Sequence, residues 1–188
     1  KAGSNQGPNG LLAGLFKCTP TAWSELLTPL YKRFFATAAI PDSWIGSILC
    51  PILKAGDPTQ PKNYRLIAMI DLEAKVYARV LLSQVEAWTA KNEILPIFQT
   101  GFRGAVATAD NIMAHSFIRQ QPFQHNKLPC FCYFIDYGAA FDHVNREILW
   151  KNLDSCGLPP GLLKAIMSLY TKTWVHVKSG GTDRKAHV

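Results

Sequence analysis

The stretch that most constrains this chain is Leu128-Pro129-Cys130-Phe131-Cys132-Tyr133-Phe134-Ile135, an unbroken apolar run that ends on the carboxylate of Asp136. The run has the length of a strand, and its lack of alternation fits a strand covered on both faces. Such a strand needs other layers around it, so the fold must supply them. A carboxylate delivered where the chain leaves a core is costly unless something neutralises it. A divalent cation does so well, because Mg²⁺ takes oxygen ligands and keeps positions open for substrate phosphates. In two-metal phosphoryl transfer, carboxylates hold ions about 4 Å apart. The Asp136 side chain and the Tyr137 backbone carbonyl are the oxygens offered here. A helix or turn cap is the other reading of a strand-end Asp, and this segment alone leaves both open. Asp142 reads more simply as a cap or a salt-bridge partner.

The chain has 188 residues, 48% of them hydrophobic and 18% charged. That suits one large domain or two small ones, and excludes disorder, collagen and coiled coil as the main description. No apolar run approaches the ~20 residues that span a bilayer, so no membrane partner is expected. The net charge is +7, split as 13 basic and 8 acidic side chains before Asp136 and 7 and 5 from there on. No basic tail exists, so a surface that grips phosphates has to be assembled by folding. The five cysteines, Cys18, Cys50, Cys130, Cys132 and Cys156, are irregularly spaced and fit reduced thiols better than a disulfide framework. Cys130 and Cys132 read as alternate residues of a buried strand; no second Cys/His pair stands at zinc spacing.

Gly and Asn in residues 1–10 predict a loop, followed by a short helix near Leu11 to Phe16. Thr19 and Pro20 suit the start of a second helix, with Trp23, Leu26, Leu27, Leu30 and Phe34 on its inner face. Ser47 to Leu53 predicts a short strand, with Pro51 favouring an edge, and Ala55 to Arg65 a polar loop. A long helix is predicted over Leu72 to Ala90, with Tyr77, Leu81, Gln84 and Trp88 on one side. Thr108 opens a helix reaching about Gln120, with Ile112, Met113 and Phe117 inward. Asn145 and Gly157 bound another helix. Leu162, Leu163, Ile166, Met167 and Tyr170 mark the next, and Trp174 to Lys178 alternates as a strand that turns at Gly180. The chain stops in what reads as a second hairpin strand and starts without Met, so it is expected to be a segment of something longer. The expected class is α+β, helix-dominated, with a short and mostly antiparallel sheet.

The Phe134-Ile135-Asp136-Tyr137 and Ala140-Phe141-Asp142-His143-Val144 pattern resembles the first carboxylate motif of reverse transcriptases from non-LTR (LINE-like) retrotransposons. Other segments resemble that family in the same order. They are Gly7-Pro8-Asn9-Gly10; Trp44 through Pro51-Ile52-Leu53-Lys54-Ala55-Gly56-Asp57; Asn63-Tyr64-Arg65-Leu66-Ile67 with Lys75; Gln99-Thr100-Gly101-Phe102-Arg103 through Asp110-Asn111-Ile112; and Leu149-Trp150, Leu153 and Gly157. Any one of these is a weak signal, and the ordered set is specific.

The resemblance implies a right-hand polymerase, with residues 1–127 as fingers and 128–188 as a partial palm. It implies that Asp136 is a catalytic Mg²⁺ ligand, joined by the Tyr137 carbonyl, in a two-ion site that is incomplete here. Phe141 matches the aromatic that screens the sugar 2′ position, and the 2′-OH is what separates ribo- from deoxyribonucleotides. Lys54 and Arg65 fall where the fingers hold the incoming triphosphate, and both are suited to phosphate; without the resemblance they read as solvated loop charges. Gln99, Gly101, Phe102 and Arg103 match a segment near template and nucleotide, although Phe102 alone reads as core. The implied partners of the intact protein are an RNA template, a DNA primer and deoxynucleoside triphosphates, in the nucleus or cytoplasm. Asn9 stands where the family has Asp, Leu66 where it has Pro, Ala139 where it has Lys, and Ala107-Thr108 where Ser-Thr is usual. The family's later palm motifs, including the Tyr-x-Asp-Asp hairpin, do not occur, and one Asp cannot hold two ions, so the chain alone is not expected to polymerise. The alternative is a non-catalytic nucleic-acid-binding module on the same fold, whose binding would fall steeply with salt.

Overall fold

The computed structural model describes residues 7–104, 106–126, 131–171, 173–179 and 182–187. Contacts divide the chain into two units, one built from residues 1–88 and 150–188 and the other from 89–149. The described residues form six α-helices and a four-stranded sheet. The class is α+β and helix-dominated, as the periodicity predicts.

In the first unit, α1 (Ala13–Cys18) and α2 (Pro20–Thr37) meet through Phe16 and Trp23, whose rings stack 4.2 Å apart. Pro20 occupies the first turn of α2, where its missing N–H costs nothing. Thr19 makes no side-chain cap; its hydroxyl instead donates to the Leu15 carbonyl. Only part of the predicted inner face of α2 is covered. Leu27 is buried and Phe34 packs on the core, whereas Leu26 and Leu30 are exposed. Helix α3 (Leu72–Lys91) presents Ala74, Tyr77 and Leu81 to the interior, with Val85 and Trp88 packed beside them and Gln84 left exposed.

Helix α5 (Arg146–Ser155) starts with the Asn145 side chain accepting from the Ile148 N–H. It ends in a Schellman turn: Leu158 N–H donates to the Leu153 carbonyl and Gly157 N–H to that of Asp154, with Gly157 at φ +82°. That turn drops Leu158 into the core beside Leu162, Leu163 and Ala165 of α6 (Pro160–Ser168). Trp44, in a short 3₁₀ turn before the first strand, packs edge-on to Tyr31 and Phe34 and lies 5.9 Å from Tyr77. This aromatic cluster joins α2 and α3 to the approach to the sheet.

The sheet order is β2-β1-β3-β4, comprising β1 (Gly46–Leu53), β2 (Tyr64–Met69), β3 (Trp174–Ser179) and β4 (Thr182–His187). Two antiparallel ladders flank one parallel ladder, in which Gly46 pairs with Trp174 and Leu49 with Val177. Gly46 is needed at that crossing, since a Cβ there would land on the Trp174 indole. Pro51 lies beyond the stretch that β3 pairs, so on that side β1 is an edge and no ladder bond is lost. β2 is a strand that the sequence reading leaves as the end of a loop.

Two sequence expectations in the second unit are corrected. Residues 131–137 form no strand, and Phe131, Tyr133, Phe134 and Ile135 are all at least 80% exposed. Leu128 to Cys130 lie outside the described residues. A continuous apolar run announces two faces to be covered, but among the described residues no strand pairs with it. Helix α4 (Thr108–Asn126) runs past Gln120 and through Pro122, and Ile112, Met113 and Phe117 are exposed rather than inward. Its apolar positions recur at helical spacing, yet within this unit no described element packs along them. His115 of α4 meets the extended segment, its ring 5.5 Å from that of Phe134.

The Tyr77 hydroxyl is buried without a hydrogen-bond partner among the described residues. Burial also pushes its pKa up, so it stays protonated. A buried unpaired hydroxyl is a net cost. Tyr77→Phe is therefore expected to raise stability by up to about 1 kcal/mol in urea denaturation; a clear loss would mean the hydroxyl has a partner.

Candidate nucleotide and metal site

The β1–β2 hairpin places two of the candidate residues. Register pairs Ile52 with Arg65 and Leu53 with Tyr64, and the Lys54 N–H donates to the Asn63 carbonyl at 2.8 Å, which carries the pairing one residue further. Opposed residues share a face and the side-chain period is two, so Lys54 and Arg65 project from the same face on a diagonal. Both are exposed, and neither has an ion-pair partner among the described residues.

The loop between them is stiff. The Asp57 carboxylate accepts from the Thr59 N–H at 2.8 Å and the Thr59 hydroxyl at 2.7 Å. The Thr59 backbone bond, then its hydroxyl, hold the Asp57 pKa below the usual carboxylate range. The contribution this makes to folding is therefore present at neutral pH and is lost as acid protonates the group. Asn63 donates to the Asp57 carbonyl, Tyr64 donates to the Pro58 carbonyl, and Gly56 takes φ +89° where a side chain would be strained. Asp57 and Asn63 thus brace the loop that follows Lys54. The sequence reading passes over that role, although Asp-Pro-Thr is a recognisable turn signal.

The second unit holds the remaining candidates. Gln99, Gly101, Phe102 and Arg103 share one loop. The Arg103 guanidinium folds back to donate to the carbonyls of Pro96 at 3.1 Å and Gln99 at 3.5 Å, and the Gln99 amide donates to the Gly101 carbonyl. Arg103 therefore braces its own loop. Phe102 sits at φ +60° and is 93% exposed, so it is not core. Its ring meets Phe141 edge-on, with centroids 5.9 Å apart. Two residues separated by most of the unit are thereby brought together as one aromatic surface.

Asp136 and Tyr137 lie at the end of the exposed extended segment. The chain then turns through Gly138 and Ala139, the latter at φ +50°, and the Asp142 and His143 N–H groups both reach the Ala139 carbonyl. The His143 Nδ1 lies 3.1 Å from the Gly138 carbonyl and fastens the same turn, a role absent from the sequence reading. Among the described residues no three of His, Cys, Asp and Glu gather in one place. Asp136 and the Tyr137 carbonyl thus offer oxygens of the right chemistry, but these residues do not make a two-ion site by themselves.

Residues 52–186 match the family model described as reverse transcriptase (RNA-dependent DNA polymerase), and the chain belongs to that family. More particularly, it is 26% identical over 154 residues to the probable RNA-directed DNA polymerase from transposon BS of Drosophila melanogaster, covering 80% of this chain and 17% of that protein. It is also 26% identical over 130 residues to the probable RNA-directed DNA polymerase from transposon X-element of the same organism, covering 68% of this chain and 14% of that protein. The chain spans less than a fifth of the length of these curated relatives. These transposon-borne relatives agree with the non-LTR retrotransposon resemblance carried by the ordered motifs. No helix among the described residues is long and apolar enough to cross a membrane.

Proposed function

We propose that this chain is the nucleotide-gripping part of an RNA-directed DNA polymerase of a non-LTR retrotransposon, with residues 1–127 serving as fingers and 128–188 as the start of the palm. The observation that carries the reading is the placement of Lys54 and Arg65 on one face of a stiffened hairpin. A fixed point charge beside a planar fork of donors suits a triphosphate. The Phe102–Phe141 pair offers an aromatic wall against the sugar or base, and Gln99, Gly101 and Arg103 shape the loop that presents it. Asp136 contributes one carboxylate and Tyr137 one carbonyl toward Mg²⁺. The substrates are deoxynucleoside triphosphates added to a DNA primer on an RNA template.

The test uses a polymerase that contains this chain. Lys54→Ala and Arg65→Ala are each expected to raise KM for the nucleotide by about tenfold, the scale of one charge-assisted hydrogen bond. Primer–template affinity should change little. If both variants weakened nucleic-acid binding and left the nucleotide KM alone, the polymerase reading of this face would fail. The non-catalytic binding module would then be preferred.

A further inference from the structure

We propose that Asn9 is a charge-matched clasp: its amide closes the N-terminal turn onto the head of α3, where two carboxylates already stand. The Asn9 N–H donates to Asp71 Oδ1 at 2.9 Å, and its side-chain Nδ2 donates to Glu73 Oε2 at 2.9 Å and Oε1 at 3.2 Å. The Asn9 Oδ1 accepts from the Leu11 N–H at 3.1 Å, so the amide group is used at both ends. The turn it sits in is closed by Gly10 N–H donating to the Gly7 carbonyl, with Gly10 at φ +74°.

The fit to α3 is tight. A Cβ on Gly7 would stand 2.5 Å from the Ile70 carbonyl oxygen and 2.7 Å from the Asp71 Cα. Asp71 is 1% exposed. From the other side, the Tyr31 hydroxyl of α2 donates to the Glu73 carbonyl at 2.8 Å. The clasp therefore fixes the corner between β2 and α3, and β2 is the strand that carries Arg65.

Chemistry selects the amide here. The groups facing position 9 are the Asp71 and Glu73 carboxylates, with Lys75 near Asp71 and the Tyr31 hydroxyl on the Glu73 backbone. Burial, then Glu73, already push the Asp71 pKa up, against the Asn9 N–H bond and Lys75, which pull it down. An Asp at position 9 would add a third carboxylate within hydrogen-bond distance of Glu73, with no proton to share at neutral pH. Asn at position 9 is thus matched to the residues it meets. Asn9 is a positioning residue of this corner, independent of how the polymerase site is read.

The experiment compares melting of this chain with Asn9→Asp and with Asn9→Asp combined with Glu73→Gln, at pH 7 and near pH 4. Asn9→Asp is expected to lower the melting midpoint at pH 7 by about 2–4 °C. Glu73→Gln in that background should recover at least half of the loss, because a Gln amide donates to the new carboxylate. The gap should narrow near pH 4, where carboxylates take up protons. If Asn9→Asp does not fold, Glu73→Ala serves instead. It should speed hydrogen exchange at the Asn9 and Leu11 amides by about tenfold while the core stays protected. An Asn9→Asp protein that melts like the wild type, a loss that Glu73→Gln leaves intact, a gap unchanged by acid, or unaltered exchange in Glu73→Ala would each overturn the clasp.

Discussion

Asp136→Asn, in a polymerase that contains this chain, is expected to lower kcat for primer extension by at least about 10²-fold, the scale for losing one group that stabilises developing charge. The substitution keeps the shape of the side chain and most of its hydrogen bonding, and it removes only the negative charge. Asp136 lies exposed at the end of an extended segment, with no buried contacts to lose. The folded structure should therefore survive, with unchanged circular dichroism and an unchanged melting midpoint. The nucleotide KM should move much less than kcat, since Lys54 and Arg65 hold the phosphates in the proposed arrangement. A variant that extends primers at the wild-type rate would remove Asp136 from the chemistry.

Leu162→Ala is expected to destabilise the chain by about 2–5 kcal/mol in urea denaturation. Leu162 is 4% exposed and sits in one core cluster with Tyr77 and Leu81 of α3 and Leu158. Truncation removes buried methyl groups and leaves a cavity that rigid neighbours, several of them aromatic, cannot fill. Leu66→Ala is the comparison. Leu66 lies on β2 at 57% exposure, and its truncation should cost less than about 0.5 kcal/mol. Equal losses at the two sites would mean that the core has been placed wrongly.

Local physics made much of the first unit legible. α3, α5, α6 and β1 fall where periodicity and caps put them, because a run such as Tyr77, Leu81 and Val85 needs only helical spacing to form a stripe. The Asn145 cap and the Gly157 turn are set by groups a few residues apart. The hairpin is different. Whether Tyr64 to Met69 is a loop or a strand depends on β1 lying alongside, and a polar start such as Asn63-Tyr64-Arg65 hides it. Asn9 shows the same limit: its partners are some sixty residues away in the chain, and no local pattern names them.

The candidate site divides along the same line. That Lys54 and Arg65 are phosphate-suited cations is a property of their side chains, but their shared face comes from the Ile52–Arg65 register. Phe102 and Phe141 each read as an isolated aromatic until the loop and the turn bring the rings together. The opening feature is the sharpest case. The apolar run to Ile135, ending on Asp136, determines that this segment is extended, wants cover, and carries a carboxylate where the chain turns. Hydrophobicity is a property of the residues themselves, so that much is written in the sequence. Strand pairing is not, because it takes hydrogen-bond partners from elsewhere. Only the tertiary structure could decide that residues 131–137 are solvent-exposed and join no strand among the described residues, while the buried core forms instead from α2, α3 and α6.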